Sequence, residues 1–599
     1  MNQMNRGGTC FHFARAAAMA ALALVAVACG GGGGDGNGGG GDDIAVSVSP
    51  AGGATTLEAG GTLVLKANVV NTTSNMDVTW SLTGPNCPNN CGTITRTSVD
   101  FAQYAAPATV AAQFNVMVTA TSIENPAKSG SAQLTVNPKT CPANSSLLSG
   151  PYAFQLQGFD RTTGNGFAAI GTITADACGS ITAGTADSGP ANPVAAEPVT
   201  GSYTIGADHR GSLSLTVSGV TKDFAIALGR ISNGVSRRAG LIETVPAGPT
   251  NTMLVGTLWA QDTSAFAQGR LAGKFAYLLN GWTQARWAAA GTVTRDASGN
   301  YSDGLQDRAT LNFTPKTDVA WTASTTASSA STGRAELSSG AFDALGKAVL
   351  YVVSADQQLV LITDDATGAV LSGEMVAQTG PFTQASLSGR LITNQTQNHM
   401  GVSYQYMNYS ILAQFTADSV NGTLTSTMND GDSGCNIYQN QSAQFTYQVA
   451  ANGQASVFNQ GTLAGRYYLT RANAGFLLGL DASVPVGAIR PQSAGPFNVA
   501  SISGSYFATQ APGTNYYATN SVGVGSSSGN GTLATTMDTN YQGAVVTRTD
   551  YIGGALTHTG DGRYTDAYGN VIYAIAPSAF LVTSISPNEC YPVVHLFEQ

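Results

Sequence analysis

The sequence predicts an all-β chain: one small sandwich followed by four repeated antiparallel meanders, read as eight-stranded up-and-down barrels, with two-sheet sandwiches as the alternative. Three observations carry this. Only 10% of the 599 residues are charged and 72 are glycine, against roughly 25% charged and about 7% glycine in ordinary domains, which excludes coiled coils and long helical bundles. Short runs rich in Val, Thr, Ile and Tyr alternate throughout with Gly, Pro, Asn and Asp, the punctuation of strands and tight turns. A pattern of about 110–120 residues then recurs four times after position 145, too long for solenoid units of roughly 20–50 residues. The apolar share is 43%, so the chain has enough to build cores.

The first element is a leader. Arg6 and Arg15 precede an apolar stretch, Ala16 to Ala28, that ends in small residues before Cys29. A positive flank, a short apolar core and a small-residue cleavage site are the layout of a secretory signal. The tetrapeptide Ala26-Val27-Ala28-Cys29 resembles the lipobox of bacterial lipoproteins, with Ala26 where that family usually has leucine. The resemblance implies cleavage after residue 28, a diacylglycerol on the Cys29 sulfur and acylation of the new amino group. Such multiple acylation supplies the two or more chains that stable anchoring requires. Gly30, rather than Asp, follows the cysteine, which within that family implies an outer-membrane address. The expected localisation is therefore lipid-anchored at the cell outer membrane, periplasmic or surface-facing. Residues 29–43 are nearly all Gly with Asp and Asn and read as a flexible tether. A phosphate-binding loop would need a preceding strand, a Lys-Ser/Thr pair and a following helix, which this stretch lacks.

Residues 44–137 form the next unit, with the strand-like runs IAVSVSP, GTLVLKANVV, DVTWSLTG, GTITRTS, NVMVTATS and SAQLTVN. The VSVSP opening, VTWSL with Trp80, Tyr104-Ala105-Ala106-Pro107 and VTATS followed by SAQLTVN resemble bacterial immunoglobulin-like domains. That resemblance implies a sandwich with Trp80 in its core and a spacing or presenting role.

The four repeats span 145–264, 265–380, 381–495 and 496–599. Their starts, LLSGPYAF, RLAGKFAY, SLSGRLIT and SISGSYFA, align Gly150, Gly273, Gly389 and Gly504. Phe266, Phe382 and Phe497 each stand seven residues before the glycine. Gly171 with the TITAD stretch reappears at Gly291, and Gly184 and Asp187 are answered by Gly304 and Asp307. NGTL recurs at Asn421 and Asn530. The first repeat holds eight strand-like runs joined mostly by short polar turns. Alternation places Tyr152, Phe154 and Leu156, then Phe275, Tyr277 and Leu279, on one face. Eight strands in sequential hairpins favour closure, which removes exposed edges; the likeness to lipocalin and streptavidin barrels is architectural.

Six cysteines remain besides Cys10 in the leader and Cys29. An even number in an exported chain reads as disulfides. Cys87 and Cys91 are close enough to close one loop; Cys141 with Cys178 and Cys435 with Cys590 are candidate partners among 15 connectivities. No metal is expected, because His209, His399, His558 and His595 occur singly. Asp430-Gly431-Asp432 lacks the closing Glu of a calcium loop, since Gln441 stands there. Gly525-Ser526-Ser527-Ser528-Gly529 formally fits G-x-S-x-G but precedes a strand-like run instead of a helix. Gly431-Asp432-Ser433-Gly434 resembles the serine-protease tetrapeptide without its following Gly-Pro. Asp176, Asp296 and Asp418 recur in a T-x-D turn, where a carboxylate binds nearby backbone N–H groups.

The net charge of −9 with scattered Lys and Arg gives no basic stripe for nucleic acid. The expectation is therefore a lipid-anchored cell-envelope protein, not an enzyme, with no cofactor and a structural, adhesive or binding role. Its contacts are the membrane through the anchor and an unidentified protein or glycan. The alternatives are a small-ligand carrier using barrel interiors and a glycan-binding remnant of a carbohydrate-active enzyme.

Overall fold

The computed structural model describes residues 43–599 apart from 161–164, 190–193, 245–251, 283–285, 312–313, 327, 339, 344, 365–368, 401–405, 432–436, 482, 511–519, 542–543, 550 and 585–592. Two compact units emerge, Met1–Lys139 and Thr140–Gln599. Among the described residues every regular element is a strand or a short 3₁₀ turn.

In the first unit two four-stranded sheets face each other. One orders Ala45–Pro50, Thr62–Val70, Phe101–Ala105 and Thr93–Arg96; the other orders Thr56–Glu58, Ser129–Asn137, Phe114–Ser122 and Val78–Thr83. This strand order is that of constant-type immunoglobulin sandwiches, with Thr56–Glu58 added in parallel beside Ser129–Asn137. Along Phe114–Ser122 fully buried residues alternate with more accessible ones, as a sheet with one wet face requires. Leu65 and Tyr104 from one sheet meet Val116, Val118, Leu134 and Val136 from the other, with Trp80 packed against them. Cys87 and Cys91 are disulfide-bonded. The Tyr104 hydroxyl donates to the Cys91 carbonyl at 2.6 Å, and burial pushes its pKa up to about 12.

The second unit holds four antiparallel β meanders. In the first, eight strands from Ser149–Asp160 to Thr252–Ala260 pair in sequence, and the last returns to the first with Gly256 opposite Leu156. The eight runs read from the sequence of this repeat are its eight strands. The third meander, Gly389–Met400 to Val486–Pro491, closes the same way. Two departures occur. The second, Gly273–Trp282 to Ala369–Ala377, is open between Lys316–Ser324 and Arg334–Leu337 apart from a bridge of Thr325 to Leu337. Among the described residues the fourth has ten short strands and is open between Ala544–Arg548 and Thr557–Gly560. In the fourth, the connection at the gap turns inward; in the second, the residues at the gap, 325–333, are mostly Ser and Thr, and it is the next connection, 338–346, that turns inward. Phe342 lies 4.7 Å from the Trp321 ring and 5.1 Å from that of Tyr277, while Tyr551, Ile552 and Leu556 enter the fourth core.

The inward faces are those the alternation indicates. Tyr152, Phe154 and Leu156 sit in the first core and Phe275, Tyr277 and Leu279 in the second. The recurring glycine of strand two now has a reason. A Cβ on Gly171 would lie 2.6 Å from the Phe154 ring, and one on Gly291 would lie 2.5 Å from the Tyr277 hydroxyl. Glycine lets the strand-one aromatic lie flat across strand two. Cys141 and Cys178 are disulfide-bonded at the foot of the first barrel.

Candidate functional site

The four barrels form a closed ring, because strand two of each packs on strands six and seven of the next or, in the ten-stranded fourth, on its last two strands. Gly166–Asp176 meets Lys347–Ser354 and Gln357–Asp364, Arg286–Arg295 meets Thr462–Arg471 and Ala474–Gly479, and Asn520–Ser528 returns to Val220–Ser232 and Val235–Glu243. Between the third and fourth barrels, Tyr406–Asp418 meets Ala579–Ser584. A head-to-tail interface of this kind closes into a ring when its rotation allows; here four copies are carried on one chain.

Each seam is apolar, with small or branched residues on strand two, joined by strand one in the third barrel. Ala168 and Ile170 pack on Tyr351, Leu359 and Leu361, and Ala288 and Ala290 on Tyr468, Phe476 and Leu478. Ile392 and Leu412 pack on Tyr573, Leu581 and Val594, and Val522 on Ala227 and Ile242.

A carboxylate clasp accompanies this packing. Asp187 accepts from Arg334 Nε and Nη2 at 2.8 Å each and from the Tyr351 hydroxyl at 2.6 Å. One barrel on, Asp307 pairs with Arg466 at 3.1 Å and accepts from the Tyr468 hydroxyl. Arg466 also reaches Asp318 at 2.8 Å. Desolvation pushes the Asp307 pKa up, opposed by the Tyr468 hydrogen bond. At the closing seam Asp538 binds Arg210 at 2.7 Å. Asp187 and Asp307 recur in the sequence, yet their role was not apparent there. Their signal is position: they stand within strands, where an acid normally needs a partner.

A third device crosses three seams. Gln261 Nε2 donates to the Val352 carbonyl at 2.6 Å, Gln378 Nε2 to that of Leu469 at 2.7 Å, and Gln492 Nε2 to that of Ala574 at 2.9 Å. The residue after each glutamine donates its backbone N–H to the next carbonyl of the same strand, on Val353, Thr470 or Ile575, at 2.6–2.8 Å. Phe266, Phe382 and Phe497, which mark the register in the sequence, seat their rings against Gly333, Gly453 and Gly562, where a Cβ would lie 2.7–2.9 Å from the ring. These linkers latch each barrel to the one before it.

On the ring axis lies a cavity of 190 Å³ to which all four barrels contribute, including Gln157, Arg238, Glu374, Arg490 and Gln510. Gln157 Nε2 donates across a seam to Ser372 O at 2.9 Å and Ser372 Oγ at 2.6 Å. Arg490 donates to Asn394, and burial lowers its pKa to about 10. Arg238 pairs with Glu598 at 2.7 Å. Glu598 also pairs with Arg230 at 2.5 Å, so one carboxylate beside the cavity serves two arginines. The cavity's volume is below the roughly 300–1,000 Å³ of ordinary ligand pockets and fits about six waters at ~30 Å³ each.

The other sequence candidates fall as follows. Cys29, Cys435 and Cys590 lie outside the described residues, as do Asp432 to Gly434. Asp176, Asp296 and Asp418 each accept backbone N–H bonds in their turns, from Cys178 and Ser180, Ser298 and Asn300, and Val420 and Asn421. Asp566 does the same for Tyr568 and Asn570. Ser526 and Ser527 lie at the end of strand Asn520–Ser528, which turns into strand Thr532–Tyr541. One pair was not legible: Ser521 Oγ lies 2.5 Å from His595 Nε2. Both are fully buried, and burial lowers the histidine pKa to about 3. Among the described residues Nδ1 has no partner, so none of them supplies the carboxylate that orients the histidine of a triad. Among the described residues no group of three or more His, Cys, Asp or Glu could hold a metal ion.

No family model matches the sequence, and no curated protein matches it. Among solved structures, a double mutant of the vaccine antigen transferrin binding protein B from Haemophilus parasuis Hp5 is similar at 9% identity, with 74% of this chain and 93% of that chain covered and a TM-score of 0.14.

Proposed function

We propose that this chain is a lipid-anchored, non-enzymatic protein of the cell envelope whose four-barrel ring is a rigid platform for binding a macromolecular partner. The observation that carries the reading is the construction of the ring. Its first two cores are filled with Tyr, Phe, Leu and Trp side chains, which supports a scaffold over a carrier. The axial cavity supports the same choice by its size. The anchor rests on Ala26-Val27-Ala28-Cys29 and the tether after it, and the outer-membrane address on Gly30. Outward residues such as Ser212, Ser214 and Thr216 are polar, unlike the apolar band of a transmembrane barrel.

Two measurements on the full chain test this. Radiolabelled palmitate should enter the wild type and be lost in Cys29→Ala, and the Cys29-deleted protein should be soluble without detergent. Labelling that survives Cys29→Ala overturns the anchor. A hydrolase activity that one Ser or Asp substitution abolishes overturns the non-enzymatic reading.

A further inference from the structure

Among the described residues three seams carry the glutamine–phenylalanine latch, and none of those residues forms one at the corresponding positions of the seam between the fourth and first barrels. The positions that receive a latch elsewhere are defined by an invariant pairing. The N–H of Val352, Leu469 or Ala574 donates to the carbonyl of Gly333, Gly453 or Gly562. In the first barrel the same bond runs from Leu228 to His209. The receiving positions there are therefore Asp208, His209, Leu228 and Gly229.

All four line a groove of 500 Å³ between the first and fourth barrels. Gln599 stands at the latch position of the fourth repeat, but it folds back on its own barrel, donating Nε2 to Ser503 O at 2.5 Å. Two of these positions differ from the latched sites. Gly229, with the Phe507 ring of the fourth barrel against it, stands where they have Val353, Thr470 and Ile575, and His209 replaces glycine, holding the same left-handed backbone at φ 64°. At the other sites a Cβ would press into the phenyl ring, so a phenylalanine cannot lie here as Phe266, Phe382 and Phe497 do.

We infer that the fourth seam is a docking groove for an extended, glutamine-bearing segment of a partner polypeptide, with His209 selecting against the phenylalanine that the ring's own linkers use. The glutamine amide would meet the carbonyls of Leu228 and Asp208, as Gln378 meets those of Leu469 and Asn452. A small side chain would take the place of the ring. The same selection keeps the groove from capturing linkers of another copy, the open-ended assembly that a head-to-tail interface risks. This inference does not depend on the lipid anchor.

The test uses the purified full chain and fluorescein-labelled peptides with the sequence of residues 376–387, followed by anisotropy. The Phe382→Ala peptide should bind the wild type at least tenfold more tightly than the unaltered peptide. In His209→Gly the preference should reverse, and the Gln378→Ala peptide should lose at least tenfold on both proteins. Glycine suits the left-handed backbone at 209, so the variant should melt as the wild type does. The inference is overturned if the Phe382→Ala peptide does not bind the wild type, if His209→Gly leaves the preference unchanged, or if Gln378→Ala peptides bind as well as the others.

Discussion

Strand Phe114–Ser122 of the sandwich and strand Gly166–Asp176 of the first barrel look alike in composition but are buried differently. The first alternates fully buried positions with more accessible ones; the second has a run of six buried residues, from Ala168 to Ile173, covering both faces. Ala169 and Ile173 look into the barrel, while Ala168 and Ile170 look into the seam. A sandwich strand needs a wettable outer face, whereas a ring strand needs a second apolar one. That second face accounts for part of the low charge: on seam-facing strands there is no water for a Lys or Glu to meet, and the acids that do occur there are clasped.

The contrast is broken most severely at a clasp. Asp307→Ala takes the acceptor from the buried Tyr468 hydroxyl and one of two carboxylates from Arg466, which keeps Asp318. The loss should therefore fall at the lower end of the about 3–5 kcal/mol that breaking a buried pair costs, read as a lowered denaturant midpoint for the ring. Asp100→Ala in the sandwich removes a partner of Lys66 at 3.9 Å with both side chains well exposed, and should change stability by less than about 1 kcal/mol. Equal losses would show that the ring's seams are not buried in solution.

The disulfides sharpen the comparison next. Cys141 and Cys178 are 37 residues apart and Cys87 and Cys91 only 4. Loop-closure entropy makes the first worth about 4 kcal/mol and the second about 2. Replacing each pair by serine should therefore lower the unfolding midpoint of the first barrel more than that of the sandwich.

A smaller effect comes from crowding. Ala290 faces the second seam, fully buried against residues such as Phe476 and Leu478. Ala290→Leu should cost about 1–3 kcal/mol by overpacking. Thr119→Leu, on the outer face of the sandwich with its hydroxyl bonded to that of Ser131 at 2.8 Å, should stay within about 0.5 kcal/mol. Thermal melts of the two variants decide it.

These features differ in how far the sequence exposes them. Strands, repeats and inward aromatics are legible because alternation and turn residues are local properties. The ring is not, since Ala168, Ala288 and Ala290 read as ordinary strand alanines until a neighbour covers them. The clasps are half legible: Asp187 and Asp307 recur, but Arg334 and Arg466 lie 147 and 159 residues away and at different strand positions. The latch phenylalanines were visible as register marks, while their receiving glycines belong to the far side of the following barrel. The open joints of the second and fourth meanders are not legible, because Phe342 and Tyr551 sit in stretches that read as loops and only packing brings them into the cores.

Acid should separate the two regions at mild pH. His595 is held neutral in the fourth barrel, with its pKa lowered to about 3 from 6.5 by burial. The unfolded chain binds that proton first, so the stability it contributes is complete above pH 6.5 and is lost as pH falls towards 3. One unit below 6.5 the loss is about 1.4 kcal/mol. Glu124 in the sandwich is lowered to about 2 from 4.5, first by the Thr73 hydroxyl and then by the backbone N–H groups of Asn75 and Thr73. Its contribution is intact above pH 4.5 and lost only below that. Between pH 6.5 and 5 the fourth barrel should therefore soften while the sandwich does not. Hydrogen exchange, corrected for intrinsic rates, should show falling protection in peptides covering 520–541 and 593–599 and unchanged protection in 62–124. Glu243, Asp307 and Asp566 have raised pKa values and act in the opposite direction, so the decisive comparison is with His595→Gln, which keeps them. In that variant the pH slope of the fourth barrel should flatten whatever its absolute stability, and an unchanged slope would assign the acid response to another group.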